Sequence, residues 1–83
     1  MNNEIRAILR RNTNLEPLAA TLRDSDDLFD AGLSSLSAVR LMIALEDRFD
    51  IDFPESMMNR SNFGSIAAIE RNILALRPVR IAA

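Results

Sequence analysis

The sequence predicts an all-α fold, a small bundle of three main helices plus one short helix. Three observations carry this. Apolar residues recur at helical spacing in three separate stretches, no stretch alternates apolar and polar residues at the two-residue period of a strand, and Ser, Asp, Asn, Gly and Pro fall at the joints. With 83 residues, 48% of them hydrophobic, the chain is one small domain with a thin core and no room for a large active-site cleft.

Ile5, Ile8 and Leu9 mark an amphipathic first helix over about residues 3–12, ending near Asn12 or Asn14. Residues 13–34 read as a long connection punctuated by Pro17, Asp24, Asp30 and Gly32. A connection of this length has a function or hides short structure, and Ser25 followed by DDLFD suits one capped turn whose Leu28 and Phe29 tuck into the core. The second helix runs from Ser35 to Phe49 and is ended by Asp50, Asp52 and Pro54. Pro54 then suits the first position of a short helix, PESMMN. Ser65 caps the last helix, IAAIERNILAL, at residues 66–76, with Phe63, Ile66, Ile69 and Ile73 as its buried stripe. RPVRIAA has no periodicity and reads as a loose tail, with the domain boundary placed at 77/78.

The composition excludes several chemistries. Without Cys or His there are no disulfides, no thiolate or imidazole metal ligands, no Cys nucleophile and no imidazole base, so no metal site and no catalytic residue is assigned. Any reactive group is a hydroxyl, a carboxylate or imported. The N-terminal MNNEIRAILRRN is interrupted by charges, and no later apolar run reaches the roughly 18 residues of a membrane span, so the default is a cytoplasmic protein with no membrane partner.

All ten basic residues are Arg, and charge is unevenly spread. Residues 24–55 carry nine acids against two Arg, while residues 1–23 carry four Arg against two acids and residues 56–83 four against one. The Arg residues flank the acidic block and form no patch with aromatic partners, which gives no support to nucleic-acid binding. The block itself suits either a solvated face or a docking surface for a basic partner.

The stretch AGLSSLSAVRLM, residues 31–42, sets two serines at the start of the second helix. If Ser34 is the N-cap, its oxygen satisfies an orphan N–H, and Ser35 falls at the first helical position with its hydroxyl pointing outward. A phosphate esterified there lies beside unpaired backbone N–H groups at the positive end of the helix dipole. Taken alone, tandem serines before a helix are more often just a cap and its neighbour.

Placed at 100° per residue, the second helix carries two apolar stripes. Ala38, Leu41, Met42, Leu45 and Phe49 span an arc suited to a core, and Leu36, Val39 and Ile43 form a second stripe bordered by Arg40, Glu46 and Asp47. An apolar stripe rimmed with charge beside a hydroxyl suits contact with other proteins, and a broad core face is the other reading.

The stretch DLFDAGLSSLSAVRLMIALEDRFDIDFPE resembles the central part of acyl and peptidyl carrier proteins, in which a Gly-x-x-Ser-Leu motif opens the second helix and its serine takes 4′-phosphopantetheine. Gly32, Ser35 and Leu36 match that motif, LEDRFDIDFP matches the end of the helix and the Pro that follows, and FGSIAAI resembles the entry to the last helix. The resemblance covers about residues 3–76 and implies a carrier domain over residues 1–77. Two departures stand out. Ser34 occupies the place where many members have Asp, and Ser37 and Arg40 stand where fatty-acid carriers often have acids, while the DLFDAGL and LEDRFDIDFP segments look at least as much like stand-alone carriers loaded with amino acids by adenylating ligases, or carriers of secondary metabolism.

The resemblance implies a substrate shuttle and not an enzyme. Ser35 would hold 4′-phosphopantetheine from coenzyme A, Ser34 would cap, Leu36, Val39 and Ile43 would dock partners, and Arg40, Glu46 and Asp47 would steer them. The implied partners are a phosphopantetheinyl transferase, an adenylating amino-acid or acyl ligase and downstream acyl-processing enzymes, acting on a monomer. Asp30 would support the transferase's metal or simply solvate a loop. A fatty-acid or polyketide carrier, a non-covalent helical adaptor and a hydrolase using Asp30 as base are the competing readings.

Overall fold

The structure, a computed structural model, describes residues 1–76. Four helices follow one another: α1 (Asn2–Asn12), α2 (Ser35–Phe49), α3 (Arg60–Phe63) and α4 (Ile66–Leu76), with single 3₁₀ turns at Glu16–Leu18 and Glu55–Met57. No strand occurs among the described residues. The expected three main helices and one short one are present. The expected tail, together with Arg77, lies outside the described residues.

α1 buries Ile5 and Leu9 and places Arg10 and Arg11 in its last turn, where cations complement the helix dipole. Its end is fixed by side chains: Asn12 Nδ2 donates to the Ile8 carbonyl at 2.9 Å, and Thr13 Oγ1 donates to the Leu9 carbonyl at 2.7 Å while accepting from the Leu15 N–H. α2 runs antiparallel to α1. The Arg48 guanidinium near its C-terminus pairs with Glu4 in the first turn of α1, and the Asn14 N–H just past α1 reaches Ser37 in the first turn of α2.

The long connection hides short structure. Leu15, Ala19, Leu28 and Leu33 are buried along it, so its path is set by the core. The Leu28 N–H donates to the Gly64 carbonyl at 2.7 Å and the Asp24 carbonyl accepts from the Ala67 N–H at 3.0 Å, pinning the connection to the start of α4. The turn around Phe29 differs from the expected Ser25 cap: Asp27 Oδ1 accepts from the Phe29 and Asp30 N–H groups, because a carboxylate two residues back closes such a turn without rearranging the chain. Leu28 is fully buried and Phe29 packs against the core.

Beyond α2 the short helix lies later than expected. Pro54, with ψ 150°, flanks the 3₁₀ turn without entering a helix, and Asn59 caps α3 by accepting from the Asn62 N–H. Phe63 therefore ends α3 instead of leading α4. It is buried all the same, with its ring 4.8 Å from that of Phe53 in an edge-to-face contact. Ser65 Oγ accepts from the Ala68 N–H at 3.1 Å and caps α4, whose Ile66, Ile69 and Ile73 are buried as expected.

Asp24 sits where the connection meets α1. Its carboxylate accepts from Asn2 Nδ2 at 2.8 Å and from Arg6 at 2.7 Å, and these bonds, with the Arg6 charge, hold it below the ordinary aspartate value. A lowered folded-state pKa contributes stability above the unfolded-state value and loses it as pH falls through the folded one. Acid titration of the fold is therefore expected to show stability declining below about pH 4, with a shallower decline in Asp24→Asn; identical acid curves for the two chains would contradict this role.

Candidate functional site

Backbone position separates the two serines. Ser34 is extended, at φ −79° and ψ 159°, so its Oγ turns back to accept the Ser37 N–H at 3.1 Å and its carbonyl accepts the Ala38 N–H. Ser35 is the first residue of α2 and is exposed. Among the described residues no group is hydrogen-bonded to its hydroxyl, so no base is aimed at it and nothing must be displaced for it to react. The first turn of α2 carries no acid, leaving the unpaired N–H groups and the positive end of the dipole open to an anion attached at Ser35.

The approach to this turn is built from Gly32 and Asn14. Gly32 has φ +114°, a conformation that side chains rarely adopt, and a Cβ there would meet nothing within 4 Å, so the demand for glycine is conformational alone. The Asn14 carboxamide spans both sides of Leu33: Nδ2 donates to the Gly32 carbonyl at 2.5 Å, and Oδ1 accepts from the Ser34 N–H at 3.2 Å. Its backbone N–H donates to Ser37 Oγ at 3.2 Å. In sequence Asn14 is legible only as a helix terminator, since a tertiary bond across about twenty residues leaves no local spacing to read.

The two stripes of α2 separate in space. Ala38, Leu41 and Leu45 are buried and Met42 and Phe49 pack against the core. Leu36, Val39 and Ile43 face solvent with relative exposures of 63%, 50% and 60%. Arg40 and Asp47 are exposed beside them, and shallow grooves open on either side of Ile43, one reaching Asn12 on α1 and the other Asp50 and Asp52. Two residues differ from expectation. Ser37 is buried, with its hydroxyl engaged by Asn14, so no partner reads it at the surface. Glu46 is half-buried and accepts the Phe53 N–H at 2.9 Å, so it secures the chain after α2 as well as bordering the stripe. Asp30 is exposed in the turn before Gly32, with its N–H on Asp27. Among the described residues no group of three His, Cys, Asp or Glu side chains could hold a metal ion.

Comparison with known proteins bears on this arrangement. Residues 3–71 match a family model described as a phosphopantetheine attachment site. The chain is 45% identical over 73 residues to an aminoacyl carrier protein of Agrobacterium fabrum, covering 88% of each chain. It is 32% identical over 74 residues to aminoacyl carrier protein 2 of Bradyrhizobium diazoefficiens, covering 89% of this chain and 83% of the relative. In structure it is similar, with TM-score 0.83 and 45% identity over 92% of this chain and all of the other, to a chain from the crystal structure of an engineered Bradyrhizobium japonicum glycine:[carrier protein] ligase complexed with a carrier protein from Agrobacterium tumefaciens and AMP.

The serines are expected to differ in stability as they differ in geometry. In urea denaturation, Ser34→Ala should cost about 0.5–2 kcal/mol through loss of the cap, and Ser35→Ala should stay within about 0.5 kcal/mol of the unaltered chain. A larger loss at Ser35 than at Ser34 would reverse the assignment.

Proposed function

Because the chain belongs to the phosphopantetheine attachment-site family, we propose that it works as an aminoacyl carrier, with 4′-phosphopantetheine joined to Ser35 and an amino acid loaded by a separate adenylating ligase. The observation that carries the attachment reading is the exposed, unbonded Ser35 hydroxyl at the positive end of α2, with Ser34 already committed to the cap. The amino-acid cargo is supported by similarity to aminoacyl carrier proteins and to a carrier complexed with a glycine:[carrier protein] ligase. This similarity favours an aminoacyl carrier over a fatty-acid carrier or a non-covalent adaptor.

In attachment, Ser35 Oγ forms a bond to the phosphorus of coenzyme A nearest the pantetheine. The pyrophosphate P–O bond breaks, adenosine 3′,5′-bisphosphate leaves, and the hydroxyl proton passes to the transferase or to water. The resulting phosphodiester keeps one negative charge, which the first-turn N–H groups and the dipole stabilise. The arm supplies the terminal thiol that a chain without Cys lacks, and holds the amino acid there as a thioester. Ser35 is thus a site acted upon, and the chain is a substrate and shuttle for enzymes with no catalytic residue of its own.

Leu36, Val39 and Ile43 give partners an apolar contact beside the attachment point, and Asp47 attracts basic partners while Glu46 borders the same face. Exposed Arg40 presents like charge to a basic docking patch and so penalises partners that read an acid there. Among the described residues no helix is long and apolar enough to cross a membrane. The proposed setting is the cytoplasm, with the chain acting as a monomer and passing cargo from its ligase to downstream acyl-processing enzymes.

Loading experiments test the cargo and the docking face together. The chain carrying phosphopantetheine should accept glycine from a glycine:carrier ligase and little malonyl group from a malonyl transferase. Val39→Asp or Ile43→Asp should keep the helical circular dichroism and lower loading about tenfold, while Arg40→Glu should raise whatever malonyl transfer occurs. Efficient malonyl loading without aminoacylation would overturn the cargo, and loss of helical signal in both aspartate variants would overturn the docking face.

A further inference from the structure

Ser35 lies on a well-anchored helix, and the turn that delivers the chain to it is closed as far as Leu33 by its own backbone bonds, from the Gly32 N–H to the Phe29 carbonyl at 3.1 Å and from the Leu33 N–H to the Leu28 carbonyl at 3.0 Å. Gly32 is exposed at φ +114°, and Ser34 and Ser35 are both exposed, so between buried Leu33 and the first buried residues of α2 little apolar contact fixes the backbone. Three hydrogen bonds from one residue supply what packing does not. Asn14 donates from Nδ2 to the Gly32 carbonyl, accepts at Oδ1 from the Ser34 N–H, and donates its own N–H to Ser37 Oγ.

Asn14 is a firm origin for these bonds. It is flanked by Thr13, whose hydroxyl is tied to the Leu9 carbonyl and the Leu15 N–H, and by Leu15, which is buried at 2% exposure. The end of α1 therefore meets the start of α2 through one residue, by its carboxamide at Gly32 and Ser34 and by its backbone N–H at Ser37. The chemistry asks for Asn in particular. One short side chain donates to a carbonyl and accepts from an N–H two residues further on, and the carboxamide does so from two separate atoms, Nδ2 and Oδ1. Aspartate keeps the acceptor but turns an anion toward the Gly32 carbonyl, and alanine offers neither. The same bonds keep Ser34 in its capping role, since its N–H is held from outside the helix while its Oγ is held by Ser37. Ser37 in turn explains its own burial, as a hydroxyl at 6% exposure has the Asn14 N–H for a partner.

We propose that Asn14 is the positioning residue for attachment: by clamping Gly32 and Ser34 it preorganises the first turn of α2 so that the Ser35 hydroxyl alone is presented to the transferase. The inference rests on Ser35 being the attachment point. Without the clamp the turn samples other conformations, and only the competent fraction binds productively, so the apparent affinity falls by that fraction while the chemical step is preserved.

The test compares the unaltered 83-residue chain, Asn14→Ala, Asn14→Asp and a remote core control, Ile73→Val, as substrates of a broad-specificity phosphopantetheinyl transferase with coenzyme A. Asn14→Ala should lower kcat/KM about fivefold, and Asn14→Asp, which keeps one of the two side-chain bonds, about twofold, both mainly through KM. The Ser34 amide should exchange with solvent faster in both, with helical circular dichroism retained. Asn14→Asp carries the test should Asn14→Ala lose its helical signal. Unchanged kcat/KM in the Asn14 variants would overturn the proposal, and so would an equal slowing in Ile73→Val, which would make the effect one of general stability. Failure of the unaltered chain to take phosphopantetheine at Ser35 is a separate result, and it would remove the attachment reading together with this inference.

Discussion

The N-terminus of α2 leaves backbone N–H groups without partners inside the helix, and one serine oxygen, that of Ser34, closes on the Ser37 N–H. That bond commits Ser34 to the cap. A hydroxyl engaged in capping is turned back toward the helix, and the next serine is exposed, with no hydrogen bond to its hydroxyl among the described residues. The remaining first-turn N–H groups and the dipole make the neighbourhood of Ser35 favourable to negative charge, and no acidic side chain in that turn competes for them. On the proposed attachment at Ser35, the stabilisation of the anionic group comes from the helix end itself.

The rest of the bundle keeps that helix end in place and leaves one side of the helix available. α2 is anchored on its inner face by Ala38, Leu41 and Leu45 and at its far end by the Arg48–Glu4 pair and by Glu46, which accepts the Phe53 N–H. The outer face has no covering element among the described residues, so Leu36, Val39 and Ile43 remain in water at some cost in hydrophobic stabilisation. The connection before α2 is long because it crosses the bundle, from the end of α1 past the start of α4, before returning to Gly32. Its own buried residues, Leu15, Ala19, Leu28 and Leu33, offset the entropy of ordering it.

Legibility in the sequence followed the range of the interactions. The bounds of α2, the cap at Ser34 and the separation of two apolar stripes all arise from bonds and contacts within about a turn, and period and cap chemistry reported them. α4 and its Ser65 cap were legible for the same reason. The short elements were not. PESMMN has the proline of a helix start, yet the helix forms at Arg60–Phe63, where Asn59 can cap and Phe63 can meet Phe53. Ser37 stands where fatty-acid carriers often have acids, and the Asn14 N–H across the bundle shows why a serine is buried there. Glu46 read as a partner-facing acid, while its bond to the Phe53 N–H depends on where the chain turns after Asp50, a left-handed residue at φ 54°.

The account stands on which serine carries the group. Peptide mapping by tandem mass spectrometry of the chain co-expressed with a phosphopantetheinyl transferase measures this directly. A single phosphopantetheine per chain is expected, located on Ser35, with Ser34 unmodified. Modification at Ser34, or at both serines, would contradict it, because a serine whose oxygen is committed to the cap would then be the one that reacts.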